Sequence, residues 1–298
     1  MNALALAAPY RPRSIKRHRR TRADMDVIRE GLVRLAEECA PATVRHLFYR
    51  AVDRGLVEKS EAAYHGIVGR LLTRLRREGL IPHSAIADNI RFVNEVTTYT
   101  SAGDALEEMA ALYRRNLWHT AGARVEVWCE KDAIASVLMR VTHRLRVPLA
   151  ILRGYPSETF VFGLAKDIAC DFRPTFVFYV GDHDPSGRDI ERFVTQRVRE
   201  LAPNSELTLK RIAVTEAQIK EFDLPTRPTK KTDSRSKGFI GESVEVDAMD
   251  PRTLENLLAD AIVEHLDLEE VHRLRAIEEQ ERETLATFAA GWKKKAGR

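Results

Sequence analysis

Residues 175–190, TFVFYVGDHDPSGRDI, decide the fold. The first six are apolar or aromatic almost throughout, as expected of a strand whose two faces are both covered in a parallel sheet. A helical pattern follows from Gly187, and the turn between strand and helix carries Asp182 and Asp184. Ligands of open parallel sheets collect at the carboxyl ends of the strands. The stretch therefore predicts a buried parallel strand that delivers two carboxylates to a ligand-binding edge.

Short apolar segments alternate with helical patterns on both sides of this strand. The predicted strands are residues 125–129 (VEVWC), 147–152 (VPLAIL), 175–181 (TFVFYVG) and 206–214 (ELTLKRIAV), with helices over 131–145, 157–169 and 187–201 between them. Strands and helices of these lengths in this order indicate right-handed βαβ units. We therefore expect an α/β domain built on a parallel sheet.

The N-terminal part has a different pattern. Apolar residues at helical spacing predict helices over residues 24–38, 44–52 and 61–78, and an extended stretch, IRFVNEVTTY, follows at 90–99. Three helices and an extended segment are typical of a helix-turn-helix or winged-helix domain. One face of the third helix is basic, and we expect it to contact DNA through Arg70, Arg74, Arg76 and Arg77. A small helical domain with solvated arginines is the alternative.

The expected organisation joins two domains. It consists of a basic flexible arm (1–22), a winged-helix-like domain (23–100), a connecting helix (101–120), an α/β domain (121–268) with a basic loop (224–241), and a charged C-terminal helix and tail (269–298). In the basic loop, Arg227, Lys230, Lys231, Arg235 and Lys237 are candidate DNA contacts, with a solvated loop equally compatible.

The charge is concentrated at the N-terminus. Of the 48 Lys and Arg residues, seven lie in residues 11–22, so the rest of the chain has 41 against 44 acidic residues, a net of −3. Such an arm suits phosphate contacts, although an organelle transit peptide is also Arg-rich. No apolar run approaches the ~18 residues that span a bilayer, and three scattered cysteines indicate a reducing compartment. We expect a cytoplasmic, nucleoid-associated protein without membrane contact.

Three carboxylates are predicted to converge at the sheet edge. Glu130 ends the first strand of the α/β domain, and Asp182 and Asp184 follow the third. Two unit charges ~4 Å apart repel by on the order of 4 kcal/mol at an effective dielectric of 20. A hard cation offsets this cost, which favours Mg²⁺, with Mn²⁺ as the alternative. Aspartates that merely shape turns or cap helices are the other interpretation.

The segments around these carboxylates resemble a known family. CEKDAIASVL (129–138) and VGDHDPSGRDI (180–190) resemble the Toprim domain of the topoisomerase VI A subunit and its meiotic double-strand-break relatives. The match includes Glu130, Lys131, Asp182, Asp184, Pro185 and Gly187. His183 departs from it, because the family usually has a small residue between the aspartates. The resemblance implies metal binding by the three carboxylates and places Lys131 among the DNA contacts.

A second segment, TVRHLFYR (43–50), resembles the TxRDxxY motif in the winged helix of the same family. It implies that Tyr49 attacks DNA to form a 5′-phosphotyrosyl adduct and that Arg45 holds the scissile phosphate. His46 stands where the family usually has Asp. The alternative for Tyr49 is an ordinary half-buried helix tyrosine, and Tyr64 is a weaker rival nucleophile. The segment SVEVDAMDPRTLENLL (243–258) is similar in style to the family's late Glu-containing motif.

The resemblance implies a reduced, stand-alone relative that acts on double-stranded DNA. It further implies a homodimer whose active sites are shared between subunits, and a separate ATPase B-type subunit as a possible partner. The leading hypothesis is metal-dependent strand cleavage by tyrosine transesterification, as in type IIB topoisomerase A subunits. A Toprim nuclease that uses water as nucleophile and a non-catalytic DNA-binding accessory protein are the alternatives.

Overall fold

Four parallel strands form the sheet, in the order β2-β1-β3-β4. They are β1 (Arg124–Cys129), β2 (Leu149–Ile151), β3 (Thr175–Val180) and β4 (Leu207–Ala213). The computed structural model describes residues 20–87, 95–228, 239 and 242–296. Cys129 pairs with Val180 in the sheet register. Glu130 and Gly181, the residues that follow the two strands, therefore leave the sheet side by side.

The helices surround the sheet and extend from it. They are α1 (Arg22–Cys39), α2 (Val44–Asp53), α3 (Glu61–Ala63), α4 (Arg70–Arg77), α5 (Ala102–Leu112), α6 (Ala135–Leu145), α7 (Glu158–Ala169), α8 (Pro185–Leu201), α9 (Glu216–Glu221), α10 (Pro251–Val263) and α11 (Leu268–Ala296). The α/β class and the four predicted strands are confirmed. None of the described helices has the length and apolarity needed to cross a membrane.

The sheet separates two hydrophobic clusters. Val127 and Phe178 point into the larger cluster, beneath α6 and α10. Trp128 and Tyr179, their neighbours along the strands, point to the opposite face and pack against α7 and α8. Successive strand residues alternate between faces, and here both faces are covered. This explains why β3 has hardly any polar residue.

The N-terminal helices are not a separate body. Leu32 of α1, Leu47 of α2 and Leu72 of α4 are fully buried and belong to the same hydrophobic cluster as Val127 of the sheet. The predicted boundary near residues 100–121 separates two patterns of secondary structure, and residues on both sides of it contribute to this cluster.

Three details differ from the expectations. The third N-terminal helix is interrupted by a π-helical segment, Tyr64–Gly69. The connecting helix ends at Leu112 and packs antiparallel on α11, where Lys293 lies 2.7 Å from Asp104. Of the predicted extended stretch at 90–99, residues 90–94 lie outside the described residues. Residues 95–99 are described and form no strand. The basic arm as far as position 19 also lies outside the described residues.

Arg140 of α6 connects the N-terminal helices to the sheet unit. Its guanidinium donates to the carbonyl oxygens of Cys39 (3.1 Å) and Pro41 (3.0 Å) and pairs with Glu255 at 3.0 Å. We predict that Arg140→Ala lowers the free energy of unfolding by about 1–2 kcal/mol, because two carbonyls and a carboxylate lose a charged donor. Urea denaturation measures this. Arg144→Ala, at an exposed position of the same helix, is the control, and an equal loss in both variants would contradict the connecting role.

Candidate active site

Glu130 and Asp182 lie together at the carboxyl edge of the sheet, as the sequence predicted. Both are buried, and the backbone N–H of Asp182 donates to the Glu130 carboxylate at 3.0 Å. Burial, and then the charge of Asp182, raises the pKa of Glu130 to about 7. Burial also raises the pKa of Asp182, although Lys131 opposes the shift. Desolvation and repulsion between carboxylates are thus the main causes of the raised pKa values at this edge of the sheet.

Asp184 has a different position. Its side chain accepts a hydrogen bond from the N–H of Gly187 at 2.8 Å and caps α8, which begins at Pro185. The helix was expected to begin at Gly187, and the earlier start brings its N-terminus directly to the carboxylates. A helix N-terminus favours a bound anion such as phosphate. Asp184 therefore caps α8 and also lies at the carboxyl edge of the sheet.

A third segment, residues 243–247, completes the edge. The backbone of Val244 exchanges two hydrogen bonds with His183, at 2.9 and 3.0 Å. The N–H of Val246 donates to the Asp182 carboxylate at 2.9 Å. These bonds bring the buried side chains of Glu245 and Asp247 to the carboxylates that follow β1 and β3.

Lys131 lies between the carboxylates. Its ammonium nitrogen is 2.6 Å from Asp182, 3.2 Å from Glu245 and 3.1 Å from Asp247. Burial alone would lower the pKa of this lysine, but the three carboxylates raise it above its ordinary value. Lys131, expected to contact DNA, is thus an internal counter-ion in the free protein. In the described part of the chain, no three His, Cys, Asp or Glu side chains are arranged to hold a metal ion.

Tyr49 reaches this edge from α2. Its ring is buried, and the carboxylate of Glu245 lies close enough to its hydroxyl to shift its pKa. Burial, and then the Glu245 carboxylate, raises the pKa of Tyr49 above its ordinary value. The ammonium of Lys59 lies 5.5 Å from the centre of the ring. The structure therefore joins the predicted nucleophile to the carboxylate cluster, with its hydroxyl protonated at neutral pH.

Glu245 is the centre of the cluster. Arg45 lies one helical turn before Tyr49 and binds Glu245 at 2.6 Å. Arg227 binds the other carboxylate oxygen at 2.5 Å and lies 3.7 Å from Asp184. Burial would raise the pKa of Glu245, but Lys131, Tyr49 and Arg45 together hold it well below its ordinary value. One carboxylate thus positions the tyrosine and three cations.

Glu245 and Asp247 were not among the predicted site residues, and Arg227 was expected only as a candidate DNA contact of the basic loop. The alternation of apolar and acidic residues in VEVD (244–247) was the available signal. Neither acid follows a strand of the sheet, so the rule that located Glu130 and Asp182 did not apply to them. Arg227 lies at the start of the predicted basic loop, whose other candidate residues Lys230, Lys231, Arg235 and Lys237 fall outside the described residues.

The predicted DNA-contacting arginines divide into two groups. Arg70, Arg74 and Arg77 are exposed and line one groove together with Thr73. They follow each other at helical spacing along α4, so they form a single stripe. Arg76 lies off this stripe and donates to the carbonyl oxygen of Leu72 at 3.3 Å.

The fold and the site define a class of protein. It is an α/β protein with a carboxylate-rich cluster at the carboxyl edge of a parallel sheet, in contact with a tyrosine from an N-terminal helical unit. The cluster holds five carboxylates (Glu130, Asp182, Asp184, Glu245, Asp247) and three cations (Arg45, Lys131, Arg227), a formal net charge of −2. No protein-family model matches the chain, and no curated protein is significantly similar to it.

His46, in the motif of Tyr49, is buried, and neither ring nitrogen has a hydrogen-bond partner. Burial lowers its pKa to about 4, whereas in the unfolded chain a histidine titrates near ~6.5. As the pH falls below 6.5, His46 therefore becomes protonated in the unfolded chain, whereas in the folded chain it stays neutral down to about pH 4. The free energy of unfolding decreases as the pH falls through this range.

We predict that His46 makes the protein lose about 2 kcal/mol of stability between pH 8 and pH 5, and that His46→Gln lacks this loss. Urea denaturation across this pH range measures the difference. His65→Gln, which replaces an exposed histidine of the same helical unit, is the control. Parallel stability curves for the wild type and His46→Gln would contradict the prediction.

Proposed function

We propose that the protein cleaves DNA strands by transesterification, with Tyr49 as the nucleophile. In this proposal, the N-terminal helices are a winged-helix-like DNA-binding unit and the sheet unit is a Toprim domain, as in topoisomerase VI A subunits. The observation that carries the proposal is that α2 brings Tyr49 and Arg45 to Glu245, which Arg45 binds at 2.6 Å, within a cluster that includes Lys131 and Asp182. Two motifs that are far apart in the sequence thus meet in one site.

The chemistry requires no outside co-reactant. The Tyr49 oxygen attacks phosphorus, the bond to the 3′ oxygen breaks, and a 5′-phosphotyrosyl bond forms. The phenol loses its proton to solvent, and the leaving 3′ oxygen takes one up. Arg45 supports this role because its side chain is 39% exposed while Glu245 holds it beside Tyr49. The exposed part of its guanidinium can bind the oxygens of the attacked phosphate.

The chemistry of the donor set suits a hard divalent cation, although in the free protein the described carboxylates are not arranged around one. All five acidic groups offer oxygen, their formal charge exceeds that of the cations, and one oxygen of buried Asp247 has no hydrogen-bond partner. Glu130, Asp182 and Asp184 are the residues that would hold Mg²⁺ or Mn²⁺. Such an ion would stabilise negative charge on the phosphate oxygens. Lys131 competes with it for Asp182, so we expect the lysine to shift toward Glu245 and Asp247 when the ion binds.

The expected substrate is double-stranded DNA, bound along the stripe of Arg70, Arg74 and Arg77. A second copy of the chain and a separate ATPase subunit remain proposed partners, on the resemblance alone. The ATPase subunit would be needed for strand passage.

A nuclease is the second candidate, and the burial of Tyr49 favours it. The side chain is only 4% exposed, and burial together with Glu245 disfavours the phenolate that must attack. In this reading, water bound at the carboxylates attacks the phosphate, Tyr49 is structural, and the cut ends are free. A covalent protein–DNA bond distinguishes the two mechanisms.

We predict that Tyr49→Phe and Asp182→Asn each reduce covalent adduct formation on supercoiled plasmid at least about 10³-fold, since each removes a group that acts on the attacked phosphate. Reactions with Mg²⁺ are stopped with detergent and resolved on gels with and without protease. Tyr64→Phe, at the rival tyrosine that packs on Phe48, keeps full activity. Cleavage that survives Tyr49→Phe and leaves free ends would establish the nuclease instead.

For the basic stripe, we predict that Arg70→Ala, Arg74→Ala and Arg77→Ala each reduce the slope of log affinity against log salt by about 1, as expected when one phosphate contact is lost. Binding to a short duplex at several salt concentrations, measured by fluorescence anisotropy, gives the slopes. Arg76→Ala, on the same helix but off the stripe, leaves the slope unchanged. Equal effects at all four positions would show that the stripe is not the contact.

A further inference from the structure

We propose that Arg211 of β4 is a positioning residue for the divalent cation. It holds the connection between β3 and α8 (residues 181–187, the aspartate turn), which carries Asp182 and Asp184, and so sets the affinity of the site for the ion. This inference rests on the proposed function and deepens it, because it names a residue beneath the site on which cation binding depends. Arg211 acts through the backbone of the turn and is not itself a ligand.

The guanidinium of Arg211 binds both ends of the aspartate turn. One terminal nitrogen donates to the carbonyl oxygens of Gly181 (3.0 Å) and Asp182 (3.1 Å), at the start of the turn. The other donates to the carbonyl oxygen of Gly187 (3.3 Å), in the first turn of α8. The two ends also approach closely, since a Cβ atom at Gly187 would lie 2.5 Å from the carbonyl oxygen of Asp182. One rigid, planar group thus constrains the backbone that carries the aspartates.

Arg211 is itself held in place. Its side chain is only 5% exposed, and its Nε and Nη2 atoms lie 2.7 and 2.6 Å from one carboxylate oxygen of Glu191 in α8. Its guanidinium lies 5.0 Å from the centre of the Tyr179 ring. The register between β3 and β4 shifts just after Tyr179 and Arg211, an irregularity of the kind that re-aims side chains beside active sites. A buried guanidinium whose charge is paired can fix the groups that it binds.

A fixed aspartate turn favours binding of the cation. In the described part of the free protein the carboxylates are not arranged around an ion, and Lys131 lies 2.6 Å from Asp182. Side chains therefore have to rotate when an ion binds. If the backbone beneath them were loose, binding would also bear the entropy cost of ordering it. Groups that orient metal ligands from behind typically contribute roughly 10- to 100-fold to the affinity.

The variant Arg211→Lys tests this role. Lysine keeps the positive charge, but its compact ammonium group lacks the planar fork that reaches several acceptors at once. Arg173→Lys is the matched control. Arg173 also binds two carbonyl oxygens, those of Trp118 (2.8 Å) and Ala121 (3.2 Å), and a carboxylate, that of Asp171 (2.6 Å). It precedes β3, however, and so lies at the opposite edge of the sheet from the aspartate turn.

The affinity for Mn²⁺ is measured without DNA, by electron paramagnetic resonance of the free ion, on chains shown to be folded by circular dichroism. We expect Arg211→Lys to raise the Kd for Mn²⁺ at least about 10-fold, whereas Arg173→Lys leaves it unchanged. Equal affinities of the wild type and a folded Arg211→Lys chain would overturn the proposal. An equal loss of affinity in both variants, or a wild type that binds no Mn²⁺, would also overturn it.

A second variant keeps the proposal testable if Arg211→Lys does not fold. Glu191→Gln removes the charge that fixes Arg211 but leaves the contacts of the guanidinium with the aspartate turn. We expect a smaller increase in the Kd for Mn²⁺ in this chain. An unchanged Kd would overturn the proposal.

Adduct formation on supercoiled plasmid separates this inference from the proposed function. We expect Arg211→Lys to need more Mg²⁺ for half-maximal adduct and to reach the wild-type level at saturating Mg²⁺, because Tyr49 and the carboxylates are unchanged. A deficit that no Mg²⁺ concentration restores would overturn a role through the cation. If the wild type itself forms no adduct, the proposed function fails, while the Mn²⁺ affinities still decide the role of Arg211.

Discussion

The contact of Lys131 with three carboxylates is the interaction on which the site depends. Its ammonium is within 3.2 Å of oxygens of Asp182, Glu245 and Asp247. Without a cation, buried carboxylates ~4 Å apart would repel each other by on the order of 4 kcal/mol per pair at an effective dielectric of 20. Lys131 offsets this repulsion and joins the turns after β1 and β3 to the late segment. Arg45 and Arg227 add positive charge at the outer side of the cluster, beside Tyr49 and Asp184.

Much of this was predictable because it follows from local periodicity. The apolar run of β3 and the alternation of strands and helices predicted a parallel sheet, and the sheet then required Glu130 and Asp182 to meet at one edge. The helix caps Thr43 and Ser60 were also predictable from the local sequence. In the structure each accepts a hydrogen bond from the backbone N–H three residues later. Neither inference required knowledge of how distant segments pack.

The remaining features depend on contacts between distant segments. Glu245 and Asp247 reach the site because Val244 pairs with His183, and no local pattern specifies that pairing. Lys131 was expected to face DNA, but its environment is set by carboxylates from two other segments. The shared core beneath the two predicted domains was also not predictable, because helical and sheet patterns look alike whether they pack together or apart.

The central claim is that Tyr49 becomes covalently attached to DNA. The most direct test is to trap wild-type protein on a short duplex with Mg²⁺, digest both the protein and the DNA, and identify nucleotide-bearing peptides by mass spectrometry. The account predicts one modified peptide, with a 5′-phosphodeoxynucleotide on Tyr49. Cleaved DNA without any modified peptide would contradict the tyrosine mechanism and support hydrolysis by water, and a nucleotide on Tyr64 would contradict the choice of nucleophile.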